Sequence, residues 1–213
     1  MKARSEEVEL LDCETPPRGE LARVAGYLAF VNRWLGGTRA VAQHLAGMRG
    51  VVTVLDVGAG AADIPLALSR RFPGVRPMAL DLSSAMLSLA EGLPRVRGDA
   101  RRLPFRDRSV DVVISTHFFH HLKDDEIVVA LREFDRIARR GIIVNDLLRR
   151  RRAVFWIRLF SLFANRYVRF DGPLSVKRGF TIPEIESLAR RAGLGWLRTR
   201  VHFGHRFTLA GER

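Results

Sequence analysis

The sequence has almost no cysteine and no long hydrophobic run. Cys13 is the only cysteine among 213 residues, which excludes an intramolecular disulfide framework and fits a reducing compartment. No apolar run approaches the ~20 residues that a membrane-spanning helix needs. The first residues carry Glu6, Glu7 and Glu9 without an apolar stretch, so no secretory signal is expected. Because 47% of the residues are hydrophobic, we expect a globular, cytoplasmic protein with one core.

Lysine is also scarce, although the chain is strongly basic. The net charge is +13, and lysine occurs only at Lys2, Lys123 and Lys177, so the excess is nearly all arginine. Such an excess favours an anionic partner: nucleic acid, an acidic membrane surface or an acidic carrier. The alternative is a solvated basic surface without a partner.

The hydrophobic pattern divides the chain into three parts. Residues 1–19 are polar and contain Pro16, Pro17 and Gly19, which predicts a flexible arm. Residues 20–50 carry apolar residues at helical spacing, broken at Gly36-Gly37, and predict a cap of two helices. Residues 51–213 are expected to form the main domain, with a basic and apolar insertion at about 149–178.

Short apolar runs alternate with helical patterns through the main domain. Buried strands are predicted at 51–57, 76–80, 110–115 and 141–146, and helices at 64–72, 83–91, 124–139 and 181–192. The tail, 196–201 and 206–210, predicts a closing hairpin. Strand–helix alternation at this spacing indicates parallel βαβ units and an α/β fold.

A glycine-rich turn follows the first strand. Gly58 and Gly60 permit a tight turn and close approach of a ligand to the backbone. Asp56 lies just before them, where a dinucleotide's pyrophosphate would disfavour a carboxylate, and Asp63 occupies the place of a third glycine. A carboxylate at this strand end suits a cation instead, such as the ammonium of a bound methionine group.

Three later segments add polar groups at the ends of the following strands. Asp81, followed by Leu82, ends the second strand and can accept hydrogen bonds from ribose hydroxyls, or can simply cap the next helix. Asp99 can accept from an adenine amino group while Ala100 leaves room for the ring. The fourth segment runs from a buried strand into Thr116 and a histidine-rich loop, where α/β sheets bind ligands.

Together these segments resemble a class I S-adenosylmethionine-dependent methyltransferase of the group that includes ubiquinone and menaquinone biosynthesis enzymes. The resemblance covers about 51–147 and extends more loosely to the C-terminus. It implies a Rossmann-like, doubly wound, mostly parallel seven-stranded sheet with helices on both faces and an antiparallel C-terminal hairpin.

The resemblance also implies S-adenosylmethionine as cofactor and S-adenosylhomocysteine as product. The cofactor-binding residues that it implies are Asp56, Gly58, Gly60, Asp81, Leu82, Asp99, Ala100 and Thr116. Ala62 stands where glycine is common in the family. Because alanine is small, we expect only a slight change in the packing of the helix against the strand.

The acceptor is expected to be an apolar, aromatic small molecule: a phenol, quinone precursor or polyketide, methylated on oxygen or carbon. A phenol gains from a base, and the candidates are His117, His120 and His121, whose alternative role is packing. No acidic residue lies at ligand spacing around them in the sequence, so no metal site is expected.

Four residues are predicted to contact the acceptor. Asn145 and Asp146 follow the fifth strand, where they either bind the acceptor or cap the next segment. Tyr27 and Trp34 are expected in an aromatic roof over the pocket. The insertion at about 149–178 is too short to span a bilayer, so it either covers an apolar substrate, rests on an anionic membrane, or packs on the cap.

Two rival functions remain open. An RNA methyltransferase would explain the charge of +13, but the histidine loop lacks an Asn-Pro-Pro-Tyr type of motif and Cys13 lies in the arm. Nucleic acid is therefore the less favoured partner. The other rival is a cofactor-binding protein without transferase activity that serves a partner.

Overall fold

The computed structural model describes residues 1 and 3–213. Seven strands form one sheet in the order β3-β2-β1-β4-β5-β7-β6, and β7 pairs antiparallel with both of its neighbours, β5 and β6. Five neighbouring strands are parallel, so the predicted mostly parallel sheet with a C-terminal hairpin is confirmed. The strands are β1 Thr53–Val57, β2 Arg76–Asp81, β3 Arg95–Arg97, β4 Val110–Thr116, β5 Ala138–Leu147, β6 Arg198–His202 and β7 Arg206–Glu212.

Helices cover both faces of the sheet, and a short 3-10 turn, Phe119–His121, follows β4. The helices are α1 Leu10–Cys13, α2 Arg18–Trp34, α3 Gly37–Gly47, α4 Asp63–Arg71, α5 Ser84–Leu87, α6 Asp124–Ile137, α7 Arg151–Phe160, α8 Arg166–Arg178 and α9 Ile182–Arg191. Apolar side chains of α6 and α9 pack on one face of the sheet, and those of α3 and α4 pack on the other. Among residues 1 and 3–213, none of the helices has the length and hydropathy to cross a bilayer.

Two local features differ from the predictions. β3 was not predicted, because it has only three residues and none of them is fully buried. The helix expected over 83–91 ends at Leu87, and the chain turns through Gly92 at φ +80°. Ser83 caps its first turn by accepting from the Met86 amide at 3.2 Å. The hydrophobic periodicity overestimated the length of this helix, because the apolar residues after Leu87 lie in a turn that also packs against the core.

The segment 1–19 also differs from the flexible arm that its composition predicts. Its described part packs along α8 and the 3-10 turn, and α1 forms within it. Asp171 of α8 accepts from the backbone amides of Leu10 and Leu11 at 2.7 and 3.2 Å. Glu9 is buried, with 2% of its surface exposed. These contacts join residues about 160 positions apart, so sequence patterns do not reveal them.

Candidate active site

The glycine-rich turn follows β1 and adopts left-handed backbone conformations. Gly58 has φ +73° and Gly60 has φ +53°. A Cβ at Gly58 would lie 2.3 Å from Cγ of Phe118, so the ring from the β4 loop packs directly on the turn. Ala62 also has positive φ, +60°, immediately before α4. Glycine would be free of the left-handed penalty at position 62, which costs an L-residue roughly 1–2 kcal/mol.

Asp81 at the end of β2 holds this turn in place. Its carboxylate accepts from the Gly60 amide at 2.7 Å and from the Ser83 amide at 2.8 Å. The amides of Gly58 and Ala59 donate to the carbonyl of Leu80 at 2.8 and 3.0 Å. The carboxyl ends of β1 and β2 therefore form one rigid unit with an acidic side chain at its edge.

A cavity of about 560 Å³, here called the first cavity, opens over these strand ends. Of the predicted cofactor residues, seven lie in its wall: Gly58, Gly60, Asp81, Leu82, Asp99, Ala100 and Thr116. Asp56 lies beneath the wall and is 2% exposed. Burial, reinforced by Asp63 and Asp81, raises the pKa of Asp56 well above its usual value. The topology thus brings the predicted residues to one cavity.

Asp99 lies at the other end of the first cavity and is held by an arginine. Its carboxylate accepts from the Arg101 backbone amide at 2.9 Å and from Nη2 at 2.6 Å. The Arg101 hydrogen bonds lower the pKa of Asp99. Arg101 also donates to Glu126 at 2.5 Å, which ties this edge to α6.

A second cavity of about 600 Å³ lies between α2, α7, α8 and the β6–β7 turn. Its wall is mainly apolar and includes Tyr27, Val31, Trp156, Phe160 and Val176. Tyr27 therefore lies where the aromatic roof was predicted. Trp34 does not: it is 63% exposed and outside the wall, because it lies on the outer side of α2 against Phe30 and Arg33.

Asn145 and Asp146 also lie outside both walls, contrary to their predicted contact with an acceptor. Both are 0% exposed. Asn145 lies inside the sheet, aligned with Thr116 of β4 and Thr208 of β7. Asp146 accepts from Nδ1 of His120 at 2.7 Å. The sequence predicted that both residues lie beyond the carboxyl end of the fifth strand. In the structure both belong to β5, and β7 pairs with β5 as far as Leu147, so the two side chains are enclosed by the sheet.

His117 lies where the two cavities meet, because its side chain is part of both walls. It has φ +54°, an uncommon backbone conformation for a non-glycine residue. Its Nε2 contacts Nη1 of Arg206, whose guanidinium has only donors, so Nε2 accepts and Nδ1 carries the proton. Burial and the charge of Arg206 hold the pKa of His117 well below its usual value, which makes it a neutral imidazole.

Comparisons with known proteins agree with this geometry. The family described as "Methyltransferase domain" matches residues 55–144, which include the glycine turn, Asp81, Asp99 and the histidine loop. The demethylmenaquinone methyltransferase of Thermotoga maritima is 33% identical over 127 residues, 57% of this chain and 55% of that protein. The malonyl-[acyl-carrier protein] O-methyltransferase of Xylella fastidiosa is 37% identical over 84 residues, 36% of this chain and 28% of that protein. The chain thus spans about half or less of these relatives.

The fold is shared with a methyltransferase of known structure. A SAM-dependent methyltransferase from Aquifex aeolicus superposes with a TM-score of 0.65 at 17% identity, covering 93% of this chain and 99% of that one. Residues 55–144 of this chain thus match the methyltransferase-domain family, and the overall chain shares the fold of S-adenosylmethionine-dependent methyltransferases. The fold that the sequence motifs indicated is therefore confirmed.

The two other candidate histidines face carboxylates rather than the second cavity. His120 is 2% exposed and outside both walls, and His121 lies in the wall of the first cavity only. Asp12 approaches Nδ1 of His121 at 3.1 Å. Burial lowers the pKa of His121, but Glu9 and Asp12 outweigh it and raise the pKa to about 9. The structure thus brings acidic residues to these histidines that the sequence spacing did not indicate.

Sequence reasoning missed one polar group of the candidate site, Arg206, and did not identify the partner of Asn32. Arg206, 1% exposed, lies in the second cavity beside His117, and Asn32 donates to Asp63 at 3.0 Å in the wall of the first. Arg206 begins an otherwise apolar strand, so a lone cation there was a signal in the sequence. The Asn32–Asp63 hydrogen bond depends on how α2 packs over α4, so no pattern in the sequence predicts it.

Proposed function

We propose that this protein transfers a methyl group from S-adenosylmethionine to the hydroxyl oxygen of an apolar, aromatic small molecule. The observation that carries the proposal is the meeting of two cavities at His117. One contains the glycine turn and Asp81, and the other is apolar with a single buried guanidinium. A methyl donor in the first and an acceptor in the second would face each other at this junction, which is the alignment that group transfer needs.

The residues of the first cavity fit the cofactor in both shape and charge. Among the described residues, Oδ1 of Asp56 and Oγ1 of Thr116 are buried without a hydrogen-bond partner. Such atoms are costly unless a ligand satisfies them. In the proposal, Asp56 attracts the methionine ammonium, Asp81 binds the ribose hydroxyls, and Asp99 with Ala100 holds the adenine. The sulfonium supplies an already activated methyl group, so these residues serve mainly to orient it.

The second cavity supports an acceptor that is apolar but carries an oxygen anion. Arg206 forms no ion pair with any carboxylate in the described part of the chain. Burial lowers the pKa of its guanidinium to about 10, which still leaves it charged at neutral pH. Asp146 and Asp63 act on the guanidinium only at a distance, and a buried cation with no carboxylate in direct contact favours an anionic ligand. A phenol, with a pKa near ~10, would bind as phenolate against Arg206.

This arrangement assigns the activation of the acceptor to Arg206 rather than to a histidine base. The Nε2 lone pair of His117 already accepts from Arg206, so His117 orients the guanidinium and offers Nδ1–H. S-adenosylmethionine held in the first cavity would supply the methyl group and leave as S-adenosylhomocysteine, and Arg206 with His117 would direct the phenolate oxygen towards that methyl group. A relative named for demethylmenaquinone also supports an apolar ring compound as acceptor.

Methyl-labelled S-adenosylmethionine tests the proposal directly. We expect the purified protein, incubated with a host-cell extract, to place label in the organic-soluble fraction. Label in RNA instead would favour the nucleic-acid alternative that the charge of +13 raises. Label in a protein fraction would favour an acyl-carrier substrate, and intact cofactor binding without any transfer would favour a non-enzymatic role.

We also propose that α7 and the turn after it contact an anionic membrane from which the acceptor enters. Large apolar side chains are exposed there, with Phe155 at 62% and Phe163 at 101%. The cations Arg151, Arg152 and Arg158 are exposed on the same helix. Trp156 and Phe160 are both exposed and part of the second cavity's wall, so this surface leads directly into it. A basic and apolar helix of this kind binds at lipid interfaces.

Vesicle co-sedimentation tests this contact. We expect binding to vesicles that contain phosphatidylglycerol, and about 100-fold weaker binding to pure phosphatidylcholine, because three basic residues near an anionic surface add about 1 kcal/mol each. Phe163→Asp should weaken binding by a similar factor, whereas Val129→Asp, an equally drastic change at an exposed site on α6, should not. Equal binding of both variants and the unchanged protein would contradict the proposal.

A further inference from the structure

Three metal-ligating side chains meet where the N-terminal segment crosses the loop after β4. Glu9, His120 and His121 offer ligand atoms that all lie within 4.8 Å of one another. Nε2 of His120 lies 3.9 Å from Oε1 of Glu9, and Nε2 of His121 lies 3.9 Å from Oε2. Glu9 and His120 are each 2% exposed, and the His121 side chain is 27% exposed, so the cluster is buried on all but the side of His121.

The Nδ1 nitrogens of both histidines contact carboxylates other than that of Glu9. Nδ1 of His120 lies 2.7 Å from Asp146, and Nδ1 of His121 lies 3.1 Å from Asp12. A carboxylate accepts the Nδ1 proton and leaves the Nε2 lone pair directed inwards. Carboxylate–histidine–metal triads orient metal-binding histidines in this way. Here two such triads converge on one glutamate.

The inner atoms of the cluster are the Glu9 carboxylate and the Nε2 atoms of the two histidines. When both rings are neutral and Nδ1 carries the proton, two Nε2 lone pairs face the carboxylate at 3.9 Å, too long for hydrogen bonds. The proton that the raised pKa keeps on the His121 ring is released when an ion binds. Ser175 donates to Oε1 of Glu9 at 2.9 Å, which is the one hydrogen bond that the described residues give this carboxylate. Buried acceptors that face one another are costly unless a cation lies between them.

The backbone around the cluster is fixed independently of any metal. Arg178 donates to the carbonyls of His120 and His121 at 2.9 and 2.8 Å. Arg4 donates to the carbonyl of Leu122 at 2.9 Å. The 3-10 turn places the two neighbouring rings side by side, with centroids 4.3 Å apart. The ligands are thus held together before an ion binds.

We propose that Glu9, His120 and His121 bind a zinc ion. Two imidazole nitrogens and one carboxylate oxygen are a ligand set that zinc prefers, at about 2.0–2.2 Å each, with water completing a tetrahedron. Ligand atoms around such an ion lie about 3.3 Å apart, so the cluster closes by roughly half an ångström on binding. Asp12 and Asp146 would not bind the ion themselves but would orient the two histidine ligands through Nδ1.

The site gives the N-terminal segment a function at the methyltransferase centre. Glu9 ties this segment to the loop that carries His117, and the residues just after it, Leu11 to Pro16, form part of the first cavity's wall. Zinc would therefore clamp the cover of the first cavity onto the histidine loop. This inference rests on the metal-ligating geometry and not on which acceptor the enzyme uses.

Metal binding to the full chain tests the proposal. We expect the protein, stripped with chelator and dialysed against zinc chloride, to retain one zinc per chain and to melt at a higher temperature than the stripped form. Cobalt(II) in its place should give the visible absorption of a tetrahedral site. Absence of stoichiometric zinc and of this absorption in the unaltered protein would overturn the proposal, whatever the variants do.

Variants separate this site from adventitious histidine binding. Glu9→Gln and His121→Ala should each lower zinc affinity by about 100-fold or more, and Asp12→Asn, which alters only the outer shell, by about tenfold. The control is the double variant His44→Ala, His202→Ala, which removes a separate histidine pair outside the cluster, with ring centroids 6.2 Å apart. Loss of zinc in the control but not in His121→Ala would contradict the assignment.

Discussion

Replacing Arg206 with methionine is expected to lower kcat by about 10²- to 10³-fold on an apolar phenol, the range found when one preorganised donor to a developing or bound oxyanion is removed. Arg206 is the buried cation of the second cavity and contacts His117 at the junction with the first. Methionine keeps the length and apolar character of the side chain but cannot pair with a phenolate. The affinity for S-adenosylhomocysteine, measured by calorimetry, should change little.

The same variant should fold. A buried guanidinium without a carboxylate partner contributes little stability, because its desolvation is not repaid, and an apolar replacement of similar volume is often neutral. The melting temperature should therefore stay within a few degrees. Arg150→Met is the matched control, since Arg150 lines the same cavity but is exposed, and we expect it to retain activity within a few-fold. Unchanged kcat in Arg206→Met would refute the role of Arg206.

Replacing Asp81 with alanine is expected to weaken binding of S-adenosylhomocysteine by roughly 5- to 150-fold, since an unpaired buried polar group costs about 1–3 kcal/mol. Asp81 lies in the wall of the first cavity and holds the amides of Gly60 and Ser83. Its loss removes both the acceptor for the ribose hydroxyls and the restraint on the glycine turn. Titration calorimetry measures the effect directly.

Two further variants resolve these contributions. Asp81→Asn keeps one acceptor oxygen for a backbone amide but gives up the second, so its affinity should fall between those of Asp81→Ala and the unaltered protein. Asp125→Ala removes an exposed aspartate that pairs with Arg191 on the far side of α6, and it should leave the affinity unchanged. If Asp81→Ala binds the cofactor product as tightly as the unaltered protein, the proposed cofactor geometry is wrong.

Taken by itself, the sequence determined six of the seven strands, their alternation with helices, and the strand-end residues of the first cavity. The reason is local: buried strands read as short apolar runs, and each ends in the residue that a ligand would meet, such as Gly58, Asp81 or Thr116. Parallel strands place these ends at the same edge, so the first cavity follows from topology once the strands are recognised.

Only the tertiary structure decided which charged residues face one another. Arg206 meets His117 across 89 positions, His121 meets Asp12 across 109, and Asp171 holds Leu10 across 161. None of these pairs has a spacing that a helix or strand would reveal, because each is made by one element packing over another. The same packing buried Asn145 and Asp146, left Trp34 in solvent, and turned an apparently flexible N-terminus into the cover of the site.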